Sequence, residues 1–110
     1  MTDRELLEMA ARTAGIQLAD EVDSYLPGSR ALWVVGPGGR DAIWNPLNDD
    51  GDALRLLVSL DMLVDSSVLG NWTEVVVGGQ YITEGHGVDA MAATRRAIVR
   101  AAASMGETRA

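Results

Sequence analysis

Apolar residues in the first fifteen positions recur with the spacing of an amphipathic helix. One helical face carries four apolar residues, Leu6, Leu7, Ala10 and Ala14. Thr2 and Glu5 stand at capping-box spacing, so each side chain can satisfy a free backbone N–H of the other residue. Gly15 follows as a stop, because glycine tolerates the left-handed conformation that ends many helices. The pattern predicts a first helix between Thr2 and Gly15.

A second helix is predicted after the acidic run of residues 48–52. Asp49 or Asp50 is a suitable N-cap, and the remaining acids favour the positive end of the helix dipole. Residues 53–60 are apolar on most of the helix circumference, so we expect this helix to be largely buried. Three residues are expected to face outward, Arg55, Ser59 and Asp61.

A third helix is predicted from Asp89, its expected cap, to Gly106, its expected stop. One face carries seven residues, Met91, Thr94, Ala97, Ile98, Ala101, Ala102 and Met105. Three arginines lie together elsewhere on the helix, Arg95, Arg96 and Arg100. They are interpreted as a solvated face with intramolecular ion pairs; pairing with another subunit, or binding of a phosphate or carboxylate, is the alternative. Residues 107–110 are expected to be frayed.

A first hairpin is predicted where bulky and β-branched residues are interrupted by glycines. Residues 31–35 and 41–44 form its strands, and residues 36–39 form the loop between them. Pro46 ends the second strand, because proline has no N–H to donate. Residues 19–30 are expected to be irregular.

A second hairpin is predicted at Gly78 and Gly79, because a two-residue turn of this kind requires positive φ. Residues 73–77 and 81–83 are its strands, and residues 63–68 are a further strand candidate. The order α, β, β, α, β, β, β, α predicts a layered α+β fold with mainly antiparallel pairing. The length fits one domain over residues 1–110.

The composition removes several kinds of chemistry. The chain has no Cys, which excludes disulfides, thiolate metal sites and a cysteine nucleophile. It has no Lys, since all nine basic residues are Arg, and this excludes a P-loop lysine and a Schiff-base lysine. We therefore assign no catalytic, cofactor-binding or metal-binding residues, and we expect no enzymatic activity.

The formal net charge of −7 argues against a nucleic-acid partner, because phosphate binding requires a basic patch. Asp20, Glu21 and Asp23 belong to a spread of acids that favours solubility. The alternative is an acidic face that meets a basic partner by mimicking nucleic acid. The sequence contains no run of eighteen apolar residues, so no membrane partner is expected. The charged start of the chain does not resemble a signal peptide, so a cytoplasmic location is expected.

Three features that superficially suggest a site have simpler interpretations. Residues 36–39 lead into a strand and not into a helix, which favours a hairpin loop over a phosphate-binding loop. Residues 48–52 look like the start of a calcium loop, but Ser59 stands at the twelfth position, where an acid is needed. A helix cap is favoured there, with a weak cation site as the alternative. His86, the only histidine, is interpreted as a solvated loop residue.

Two stretches are similar to a known family. Residues 44–56 read WNPLNDDGDALRL, and residues 92–103 read AATRRAIVRAAA. Both resemble the corresponding stretches of the phage ABA sandwich domain family, and together they cover about a quarter of the chain. The resemblance implies a small bacteriophage or prophage protein with about three helices in a three-layer α-β-α sandwich. It implies no activity, and residues 62–87 show no match.

The leading hypothesis is a non-enzymatic phage accessory protein, located in the cytoplasm of the bacterial host, that binds a host or phage protein and modulates host takeover or defence. The first alternative is a structural, self-assembling module, with a homodimer expected. The second alternative is a small metal-binding protein or enzyme that uses the acids of residues 49–52. The candidate interaction residues are six, Arg95, Arg96, Arg100, Asp20, Glu21 and Asp23.

Overall fold

The computed structural model describes residues 2–19, 25–26 and 31–109. This part contains three α-helices, α1 (Asp3–Thr13), α2 (Asp50–Ser59) and α3 (Ala90–Arg109). It also contains six strands, β1 (Tyr25–Leu26), β2 (Ala31–Val35), β3 (Asp41–Trp44), β4 (Leu63–Ser67), β5 (Trp72–Val77) and β6 (Gln80–Gly85). The α+β class and the antiparallel pairing are confirmed.

The strands form two three-stranded antiparallel sheets, where the sequence predicted one. Sheet A has the order β1-β2-β3, and sheet B has the order β4-β5-β6. The chain leaves sheet A at Pro46, which cannot continue the ladder, and α2 separates β3 from β4. Residues 19–30 were predicted to be irregular, but β1 pairs with β2 in sheet A. The three-layer order of the sandwich stays a prediction.

The corner between β3 and α2 is fixed by side chains of the acidic run. Asp49 is the N-cap of α2, and its carboxylate accepts from the backbone N–H of Asp52 at 2.8 Å. The Asp52 carboxylate in turn accepts from the N–H of Asn45 at 2.9 Å. Trp44 is buried beside the corner. The stretch that resembles the phage family is therefore accounted for here as a strand-to-helix connection.

The helix α2 is less buried than its apolar sequence predicted. Leu54 and Val58 are 60% and 68% exposed, while Ala53 and Leu56 are buried. Leu54 and Val58 are four residues apart and share one side of the helix. The structure therefore contradicts the expectation that only polar residues of α2 face outward.

The helix α3 forms the centre of the molecule and contacts α1, α2, β5 and β6. Its buried residues are mostly small, which allows neighbouring backbones to approach: Ala93, Ala97, Ile98, Val99, Ala101, Ala102 and Ala103. The predicted stop at Gly106 is wrong, because α3 continues to Arg109 and so includes residues 107–109, which were expected to be frayed. Residue 110 lies outside the described residues. A Cβ at Gly106 would lie 2.8 Å from Thr13 Oγ1, so glycine permits the close approach of α1.

The described helices include none with the length and apolar character needed to cross a membrane.

Candidate functional site

A polar cluster with Thr73 and His86 buried at its centre lies between sheet B and α3. Thr73 Oγ1 lies 2.7 Å from His86 Nε2, 2.9 Å from Thr94 Oγ1 and 3.1 Å from Ser66 Oγ. His86 is 5% exposed and Thr73 is fully buried. The interpretation of His86 as a solvated loop residue is therefore wrong. The cluster joins β4, β5 and α3 to the loop that follows β6.

The hydroxyl groups around Thr73 form a connected hydrogen-bond network with the imidazole of His86. Thr94 Oγ1 donates to the carbonyl oxygen of Ala90 at 2.8 Å, and Thr73 Oγ1 donates to Ser66 Oγ. Thr73 Oγ1 and His86 Nε2 are hydrogen-bonded at 2.7 Å, and the tautomer of the imidazole sets which of the two atoms donates. The side chains of this cluster are three hydroxyl groups and one imidazole.

The polar cluster supports two loops at one end of sheet B. Residues 68–71 join β4 to β5, and residues 86–89 join β6 to α3. The N–H of His86 donates to the carbonyl oxygen of Asn71 at 2.9 Å, which ties the two loops together. Within the first loop, Asn71 adopts a φ of 60°, and a Cβ at Gly70 would overlap the indole of Trp72. A backbone hydrogen bond thus connects the two loops.

These loops and the first turn of α3 display four exposed apolar side chains. We call this group the apolar tip: Val68, Leu69, Val88 and Met91. Leu69 and Val88 are fully exposed, and Val68 is 78% exposed. Exposed apolar side chains on adjacent loops at one end of a sheet are typical of a binding surface.

A second surface is the face of sheet B that points away from α3, which we call the outer face. Along β5, the buried residues Thr73, Val75 and Val77 alternate with residues that point outward. The outward side chains form three cross-strand rows, Leu63–Val76–Tyr81, Asp65–Glu74–Thr83 and Ser67–Trp72–Gly85. Leu63 and Tyr81 are 72% and 68% exposed. The outer face therefore has an apolar row at one end, an acidic pair in the middle and a single large apolar side chain, Trp72, in the row at the other end.

The arginine cluster predicted as an interaction site is paired within the chain. Arg95 donates to Asp50 at 2.6 Å and to the carbonyl oxygen of Leu47 at 2.8 Å. Arg96 donates to Asp3 at 2.9 Å. Arg100 pairs with the carboxylate of Glu84. The structure thus places the three arginines in intramolecular ion pairs, each with a different element. Three other predicted residues, Asp20, Glu21 and Asp23, lie outside the described residues.

The acids of residues 49–52 are also engaged within the chain. Asp49 caps α2, Asp50 pairs with Arg95, and Asp52 accepts from Arg55 at 2.7 Å. Over the described ranges, no three His, Asp or Glu side chains are grouped as a metal ion would require.

A cavity of about 220 Å³ lies next to α2, and it is lined by six residues: Ala14, Ile16, Trp44, Arg55, Leu56 and Ser59.

The comparisons with known proteins return no match. No family model matches the chain, and no curated protein or solved structure does. The resemblance to the phage ABA sandwich domain family therefore stays a prediction.

Sequence reasoning missed the polar cluster and the apolar tip. A signal for the cluster was present, because Thr73 shares the inner phase of β5 with Val75 and Val77, and Thr94 lies on the apolar face of α3. Polar residues at core positions usually have hydrogen-bond partners in the core. Nothing in the spacing of the sequence indicated that residues 68–71 and 86–89 meet.

Proposed function

We propose that this chain is a non-enzymatic bacteriophage accessory protein that binds another protein, from the host or the phage, through the apolar tip. The observation that carries this proposal is the full exposure of Leu69 and Val88 on two hydrogen-bonded loops. The phage origin rests on the resemblance of residues 44–56 and 92–103. Modulation of a host factor or defence system is the role that such binding would serve.

The energetics favour a role for the tip in protein recognition. Burying a Leu or Val side chain contributes roughly 1.5–3 kcal/mol, and a few central residues dominate most protein interfaces. Binding through loops that are already ordered avoids part of the entropy cost of association. The polar cluster of Thr73, His86 and Thr94 supplies that order. The net charge of −7 is unfavourable for nucleic acid and for anionic lipid.

Substitution of the tip tests the proposal. The tagged protein is incubated with host lysate, and a retained protein is identified and then purified. We expect Leu69→Asp and Val88→Asp to weaken its binding at least about tenfold, because each puts a charge into an apolar contact. Val58→Asp on α2 is the control, since Val58 is also exposed and apolar but belongs to α2.

All three variants are expected to unfold at the same urea concentration as the parent, because exposed substitutions rarely change stability by more than about 0.5 kcal/mol. A partner that binds the Leu69 and Val88 variants as tightly as the parent, or no specific partner across several hosts, would contradict the proposal.

A structural, self-assembling module is the second candidate, and the exposed apolar side of α2 at Leu54 and Val58 favours it. Light scattering decides between the two: a self-assembling protein forms a dimer or larger species at micromolar concentration. A stable monomer would remove this candidate.

A further inference from the structure

The middle row of the outer face contains two acids directly opposite each other. Asp65 on β4 pairs in register with Glu74 on β5. Like charges at directly opposite positions destabilise a sheet. In the described part of the chain, neither carboxylate forms an ion pair with any arginine, although several other acids do. The sheet therefore keeps a repulsive pair between the apolar row Leu63–Val76–Tyr81 and Trp72.

A second copy of the chain is a poor occupant of this surface. A two-fold axis through the centre of the outer face would place the acidic row of one copy against the acidic row of the other. Four carboxylates would then be buried together without a cation, which is strongly unfavourable. Nucleic acid and anionic lipid are repelled by the same two groups. The charge of the face is complementary to a cationic partner.

The dimensions of the outer face match one α-helix. Three strands spaced about 4.8 Å apart put β4 and β6 roughly 10 Å from each other, close to the diameter of a helix with its side chains. The first and third rows are four residues apart along each strand, or roughly 13 Å. A helix covers that distance in about eight or nine residues.

We infer that the outer face of sheet B binds an amphipathic helix of a partner protein that carries Arg or Lys midway between two apolar residues about eight positions apart. The apolar residues pack on the Leu63–Val76–Tyr81 row and on Trp72, and the cation lies over Asp65 and Glu74. The inference rests on the proposed function, because it specifies the chemistry of the partner. It adds a second contact surface beside the apolar tip.

Two fluorescent helix-forming peptides test the inference with the full chain. Both have leucines about eight residues apart; the basic peptide has Arg midway between them, and the acidic peptide has Glu there. Fluorescence anisotropy at low salt should show the basic peptide binding at least about tenfold more tightly. The double variant Asp65→Asn/Glu74→Gln should lose this preference. Asp61→Asn, which removes an exposed charge outside sheet B, should retain it.

A charge-reversed variant is a further test, because a misfolded protein would not gain binding to a different peptide. Asp65→Arg/Glu74→Arg should bind the acidic peptide in preference to the basic one. Equal binding of the two peptides by the parent, or no binding of either, would overturn the inference. The inference would also be overturned if phosphatidylserine vesicles bound and displaced the peptide. The same holds if the protein formed a dimer that the basic peptide did not dissociate.

The proposed function and this inference fail separately. A lysate partner that is lost with Leu69→Asp but is unaffected by Asp65→Asn/Glu74→Gln would leave the proposed function in place. In that case the outer face would have no part in binding.

Discussion

Thr73 is a polar residue at a position where the alternation of β5 places apolar ones. Its neighbours on the inner face, Val75 and Val77, pack in the core, but its hydroxyl is hydrogen-bonded to His86, Ser66 and Thr94. A satisfied polar group in the core orients its partners more specifically than an apolar contact does. This hydroxyl therefore connects the loop that carries Val88 to β5 and α3.

Thr73→Val should destabilise the fold by roughly 1–3 kcal/mol, because it keeps the shape of the side chain but leaves the buried Nε2 of His86 without this hydrogen-bond partner. Urea unfolding measures the change. Thr83→Val on the outer face is the matched control, and it should change the free energy of unfolding by less than about 0.5 kcal/mol. Equal effects of the two substitutions would mean that the hydroxyl of Thr73 does not hold the cluster.

Glu5 gives the start of α1 a dependence on pH. The backbone N–H of Thr2, and then its hydroxyl, donate to the Glu5 carboxylate and lower its pKa. A carboxyl group whose pKa is lower in the folded state stabilises that state above its unfolded pKa. This contribution is lost as the pH falls through the folded pKa.

The stability difference between the parent and Glu5→Gln should therefore be constant near neutral pH and shrink as the pH falls below about 4. Glutamine keeps an acceptor for the capping box but does not titrate. Urea unfolding at a series of pH values gives the difference. A difference that stays unchanged down to about pH 3 would show that the capping contact does not depend on charge.

At the scale of elements, the register of sheet B gives two glutamates opposite effects on stability. Glu74 faces Asp65 across the strands, while Glu84 pairs with Arg100 of α3. The same substitution at these two sites therefore removes a repulsion in one case and an attraction in the other.

Glu74→Gln should raise the free energy of unfolding by about 0.2–1 kcal/mol, and Glu84→Gln should lower it by a similar amount. Each variant serves as the control for the other. Salt should reduce both effects, because exposed charges are screened. A loss of stability with Glu74→Gln would mean that the carboxylate has a favourable contact within the fold, and the case for a cationic partner would weaken.

The elements that the sequence predicted well are those set by local chemistry. The capping box of Thr2 and Glu5, the cap at Asp49 and the turn at Gly78 each depend on a few neighbouring residues. The end of α3 was predicted wrongly because a glycine near the end of a helical pattern usually ends the helix. In the fold, Gly106 lies within α3 and permits the close approach of Thr13 in α1. The exposure of Leu54 and Val58 was missed because an apolar sequence does not specify which side of a helix is covered.

At the scale of the whole molecule, the sequence predicted the fold better than it predicted the candidate site. The apolar tip forms only because β4, β5 and β6 pair in one register and bring residues 68–71 to residues 86–89. Neither loop is unusual by itself, and single exposed apolar residues need no explanation. The arginines were predicted to pair within the chain, but the sequence did not predict their partners. Those acids are distant in sequence and are brought close by the packing of the fold.

The position of α3 in the chain has a consequence for the way the protein is made. This helix follows every element that it contacts, and its arginines reach back to Asp3, Asp50 and Glu84. During translation the earlier helices and hairpins emerge from the ribosome without the surface that buries them. The core can close only after residues 90–109 have left the exit tunnel, so the nascent chain must remain unassembled until then.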